Sequence, residues 1–91
     1  MVTLDELHRV SITLDGHTHV VANANLCGNC DTLETLRSRV VLSFLTGIDR
    51  DEIGRAFDTA FDACERIPGD GAVGRADGSN FVLEVRRSIE A

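Results

Sequence analysis

With 91 residues, 43% of them hydrophobic and 26% charged, the chain is expected to fold as a single α+β domain over residues 1–91. Independent units run to about 100–200 residues, and disordered chains are poorer in apolar side chains. Nine basic against fifteen acidic residues give a net charge of −6, which disfavours nucleic acid, because phosphate neutralisation needs clustered cations and only Arg86 and Arg87 are adjacent. No apolar run nears the roughly 18–20 residues of a membrane span, and residues 1–7 carry Asp5 and Glu6 where a secretory leader would be basic and then apolar. Neither membrane insertion nor secretion is expected.

All nine cations are arginine, the composition of a GC-rich bacterial, archaeal or viral genome. Three cysteines, Cys27, Cys30 and Cys64, cannot all pair within one chain, so a disulfide framework is not expected and a reducing cytoplasm fits.

In chain order, Thr3 and Glu6 have capping-box spacing and predict a turn. The segment from Arg9 to Asn23, centred on Asp15-Gly16, predicts a β-hairpin. A three-residue loop, Leu14-Asp15-Gly16, would place Val10, Ile12, Thr18, Val20 and Ala22 on the core face, with Arg9, Ser11, Thr13, His17, His19 and Val21 outside. A two-residue loop would instead set His17 and His19 against Leu14 and Ile12. The first register is preferred because it separates apolar from polar residues.

Asp31 and Glu34 have the spacing of an N-cap and its reciprocal partner, predicting a helix whose core stripe is Leu33, Leu36, Val40 and Phe44 and whose stop is Gly47. Asp49 and Glu52 repeat the signal. Ile53, Phe57, Ala60, Cys64 and Ile67 then recur at helical steps until Pro68-Gly69. Four glycines mark residues 69–80 as a loop, with room for a short strand at residues 72–75 that turns at Asp77-Gly78. Residues 81–87 alternate as a strand. The expected fold is therefore α+β in the order β-β-α-α-β, a small antiparallel sheet with two helices packed on one face.

Cys27-Gly28-Asn29-Cys30, just before a capped helix, is the local arrangement with a chemical reading, since a helix start favours a thiolate. These four residues locally resemble the Cys-Gly-Xaa-Cys of thioredoxin-like oxidoreductases. No β-α-β unit or tryptophan precedes them, so the family is not assigned. A metal reading joins Cys27 and Cys30 to His17 and His19 as a zinc site. His8 has no partner in sequence and is read as ordinary. Cys64 is read as a small buried hydrophobe. Asp51, Asp58, Asp62 and Glu65, with Arg55 and Arg66, are read as a solvated helix face carrying an Asp62–Arg66 pair, which can also serve as an acidic docking surface for a basic partner. The glycine-rich loop matches no phosphate-binding fingerprint.

The expected function is that of a small non-catalytic protein-binding protein, accessory or regulatory, without a cofactor. Val41 and Leu45 widen the apolar side of the first helix and Leu42 points nearly opposite, more than one face can bury, so self-association as a homodimer through these three residues is expected, alongside a second, unidentified protein partner. The alternative is a zinc-binding or thiol-redox protein centred on Cys27 and Cys30.

Overall fold

The computed structural model describes residues 5–26, 32–43 and 47–90. Within them the chain forms β1 (Asp5–Leu14), β2 (His17–Asn25), α1 (Leu33–Val41), α2 (Arg50–Glu65), β3 (Val73–Asp77) and β4 (Val82–Glu90). The four strands make one antiparallel sheet in the order β2-β1-β4-β3. The fold is α+β, as expected, in the fuller order β-β-α-α-β-β. The optional strand before Gly78 is present as β3, and β4 runs further, to Glu90. Strand β1 begins at Asp5, so Asp5 and Glu6 are in the sheet instead of the expected turn, while Thr3 lies outside the described residues.

The hairpin corrects the preferred register. Leu14 pairs with His17, leaving a two-residue turn in which Asp15 and Gly16 both have positive φ, 49° and 79°. This is the geometry that an Asp-Gly pair accommodates and that matches strand twist. A bulge then inserts one extra residue into β2, since Val10 pairs with Ala22 but Ser11 with Val20. The parity of β2 flips there. Ala22 and Ala24 reach the core, Val20 is 55% exposed, and His17 and His19 share the face of Leu14 and Ile12.

Helix α1 is shorter than expected. Its N-cap is Thr32, not Asp31, with Thr32 Oγ1 accepting from the Thr35 amide at 3.1 Å, and it ends at Val41 with Leu42 as C-cap, not at Gly47. Leu36 and Val40 are buried, whereas Leu33 is 46% exposed; Phe44 lies outside the described residues. Helix α2 starts at the expected cap, Asp49, whose carboxylate accepts from the Asp51 amide at 2.9 Å. It buries Ile53, Ala56, Phe57, Ala60 and Cys64. Ile67 falls past the helix end and is exposed. The helices are tied to each other by Arg37, which donates from Nε and Nη2 to the two carboxylate oxygens of Asp58 at 2.8 and 3.2 Å.

Helix α2 packs on β3 and β4, and α1 on β2, so both lie on one face of the sheet over Val10, Ile12, Leu83 and Val85. The approach is closest at Gly74, where a Cβ would lie 1.8 Å from the Ala60 carbonyl oxygen and 2.5 Å from the Cys64 amide nitrogen. No other residue type fits there without moving β3 off α2. The opposite face of the sheet has no helix over it among the described residues.

Candidate functional site

Strand alternation assigns the side chains of the uncovered face, because directly paired residues project to the same side. Across the strands, one row is Asn23, Arg9, Arg86 and Val73; the rows beside it are Asn25, Leu7 and Ser88 on one side and Val20, Ser11, Glu84 and Arg75 on the other. A shallow cleft of about 400 Å³ lies along Leu7, Arg9, Asn23, Arg86 and Ser88. At its centre, Arg9 and Arg86 are direct cross-strand partners, both exposed, and among the described residues neither makes an ion pair or hydrogen bond. Like charges placed directly opposite destabilise an antiparallel pair, so this row concentrates positive charge without an ion pair among the described residues, with Glu84 in the next row of the same face, in a chain whose net charge is −6.

A second polar constellation sits inside, at the end of the core. His8 on β1 and Arg87 on β4 are 1% and 6% exposed. His8 Nε2 donates to Glu65 Oε1 at 2.9 Å and Arg87 Nη1 donates to Glu65 Oε2 at 3.1 Å. Arg87 Nη2 also donates to the Ile67 carbonyl and, at 3.1 Å, to that of Gly69, satisfying the chain as it leaves α2. The His8 ring stacks on Phe61 at 5.3 Å. Donor atoms of Glu6, His8 and Glu65 lie within 4.8 Å of one another. Both Glu65 oxygens are nevertheless occupied by the chain's own donors, and the Arg87 guanidinium supplies the positive charge that a cation would bring, so the cluster serves as a tie between sheet and helix.

His17 and His19 are exposed at the hairpin end of β2. Cys27 and Cys30 lie outside the described residues. Asn25 lies six steps of extended strand beyond His19, about 20 Å at 3.3 Å per residue, and a shared zinc site would require the following segment to return over that distance. Of the expected interface, Leu42 is 65% exposed, Val41 is half-buried, and Leu45 lies outside the described residues.

Cys64 is buried, its Sγ 3.5 Å from the Ala72 carbonyl oxygen, and burial pushes its thiol above the ordinary range. It is the small core residue that the helical spacing predicts. On α2 the Asp62–Arg66 pair forms at 2.7 Å. Glu65, expected on the same solvated face, instead turns to His8 and Arg87, and His8 is far from ordinary. The signal for Arg87 was available in the alternation of β4, which places it in the same set as Leu83 and Val85. Nothing local to His8 or Glu65 announces the partner.

Comparison with protein-family models, with curated proteins and with solved structures finds no match to this chain.

Proposed function

We propose that this is a non-catalytic protein-binding domain that docks its partner on the uncovered face of the sheet. The observation that carries the reading is the row of Arg9 and Arg86, exposed and without an ion-pair partner among the described residues, in a cleft lined also by half-buried Leu7, with half-buried Val73 paired to Arg86 in the same row. Arginine is among the residues enriched at protein interfaces, and a sheet face gives a preformed surface that loses little entropy on association. A photo-crosslinker placed at Ser11, on this face, is expected to trap a second protein in cells of origin, whereas one at Thr59, on the outside of α2, is not. Equal trapping from both positions, or trapping from Thr59 alone, overturns the reading.

Leu42 supports self-association as an accompanying property. It projects opposite to the buried side of α1 defined by Leu36 and Val40, and it is 65% exposed, so a second copy meeting it across a twofold axis would remove that surface from water. Sedimentation equilibrium is expected to give a dimer for the wild type at high micromolar concentration and a monomer for Leu42→Glu. A monomeric wild type, or an intact Leu42→Glu dimer, excludes it.

A further inference from the structure

We infer that the occupant of the open-face cleft is an acidic, extended segment of the partner protein, whose side-chain carboxylates are received jointly by Arg9 and Arg86; the inference rests on the open face being the docking surface.

Two observations and the chemistry of the guanidinium group converge on carboxylates. The two guanidinium groups rise from directly paired residues, whose Cβ atoms stand about 5 Å apart in an antiparallel sheet, so a single anionic group or two neighbouring ones can engage both. Neither makes an ion pair or hydrogen bond among the described residues, although fifteen acidic residues are present in the chain. A guanidinium is a planar fork that matches a carboxylate through two parallel hydrogen bonds. An incoming carboxylate therefore replaces a like-charge repulsion with charge-assisted hydrogen bonds.

The surroundings select a peptide over other anions. The cleft, about 400 Å³, is bordered by Leu7, Asn23 and Ser88. That is many times the roughly 30 Å³ that one water occupies in the liquid, and it offers apolar contact and polar side chains beside the charge. Glu84 stands in the next row, paired with Arg75 on β3. A continuous polyanion such as RNA, running on past the arginines, would meet Glu84 in the next row, while a short segment can place its few carboxylates on the arginines alone. Alternate residues of an extended peptide project to one side about 6.6 Å apart, a spacing that puts successive glutamates over the Arg9–Arg86 pair.

The probe is a fluorescein-labelled, N-acetylated hexapeptide of alternating valine and glutamate, titrated with the full chain and followed by fluorescence anisotropy. Saturable binding that weakens with salt is expected, together with a loss of about tenfold or more for the same peptide carrying glutamine in place of glutamate. The double variant Arg9→Gln, Arg86→Gln is expected to lose binding to a similar degree, and Arg55→Gln on α2 to retain it. Arg86→Glu is expected to prefer the peptide with lysine in place of glutamate, a gain that a misfolded variant would not show. Equal affinity for the glutamate and glutamine peptides, or unchanged binding by the double variant, overturns the inference. So does displacement of the peptide by inorganic phosphate at equal concentration, or tighter binding of a single-stranded RNA of the same length. If Ser11 crosslinking succeeds while the glutamate peptide fails, the carboxylate assignment alone is lost. If the crosslinks map to α2, the docking face is lost as well.

Discussion

His8 and Arg87 stand directly opposite each other across the β1–β4 pair, and the carboxylate of Glu65 accepts from both, at 2.9 Å from His8 Nε2 and 3.1 Å from Arg87 Nη1. One helix side chain thereby joins two neighbouring strands to α2. The carboxylate acts as acceptor for two donors on neighbouring strands, so it fixes α2 relative to the sheet in a way that non-directional packing on Leu83 and Val85 does not.

Glu65→Ala removes the acceptor and leaves Arg87 with only carbonyl partners. A cost of about 1–3 kcal/mol is expected from urea unfolding, kept moderate because the Glu65 side chain is 39% exposed and water can replace it. Glu65→Gln, which still offers one acceptor oxygen, should cost less. An alanine variant as stable as the wild type would remove the tie from the account of this fold.

At the other end of α2, Asp49→Ala should cost about 0.5–2 kcal/mol through the lost cap. Phe57, fully buried, should cost about 3–5 kcal/mol when truncated to alanine. The order of the two in thermal or urea unfolding checks whether α2 is held mainly by its apolar stripe or by its start. Equal small effects would contradict the packing described.

Gly74→Ala introduces a methyl group against the α2 backbone, where neither neighbour is a flexible side chain. The change should cost about 3 kcal/mol, at or above the upper end of ordinary overpacking, because β3 must move away from the helix. At Gly54 the nearest atoms are the far end of the Arg37 side chain, which can swing aside, so Gly54→Ala should be much better tolerated. Comparable losses at the two positions would show that the β3–α2 contact is looser than the geometry indicates.

Glu52 Oε1 accepts from the Ser79 amide and so holds the turn between β3 and β4 to α2. That hydrogen bond keeps the Glu52 carboxyl below the ordinary glutamate range in the folded protein. A depressed folded value means that the contribution is present above the unfolded pKa and is lost as pH falls through the folded one. In a stability profile between neutral pH and about pH 3, spanning the usual glutamate value, wild type should therefore lose more stability than Glu52→Gln. Parallel curves for the two proteins would contradict this.

The cysteines outside the described residues provide a further check. The melting temperature of the wild type is expected to be unchanged by a chelator, and Cys27→Ser with Cys30→Ser is expected to remain folded. A melting temperature that falls on chelation in the wild type but not in the double variant would establish the zinc reading instead.

Elements whose signals are local are legible in the chain before it folds. Ile53, Phe57, Ala60 and Cys64 recur at the helical period behind an aspartate cap, Phe81, Leu83 and Val85 alternate at the strand period, and Asp15-Gly16 marks a turn; each needs only neighbouring residues to be read. Long-range pairing and packing set the remainder. The Asp15-Gly16 turn takes two residues while Val10 must face Ala22, and the bulge in β2 reconciles the two demands at the expense of exposing Val20. His8 and Glu65 are 57 residues apart, and Glu65 and Arg87 are 22 apart. Alternation told which way Arg87 points but carried no record of what it would meet. The Arg9–Arg86 row arises in the same way, from pairing strands near opposite ends of the chain. Such juxtapositions come from long-range strand order and helix placement, to which local periodicity is blind, and both polar sites of this protein depend on them.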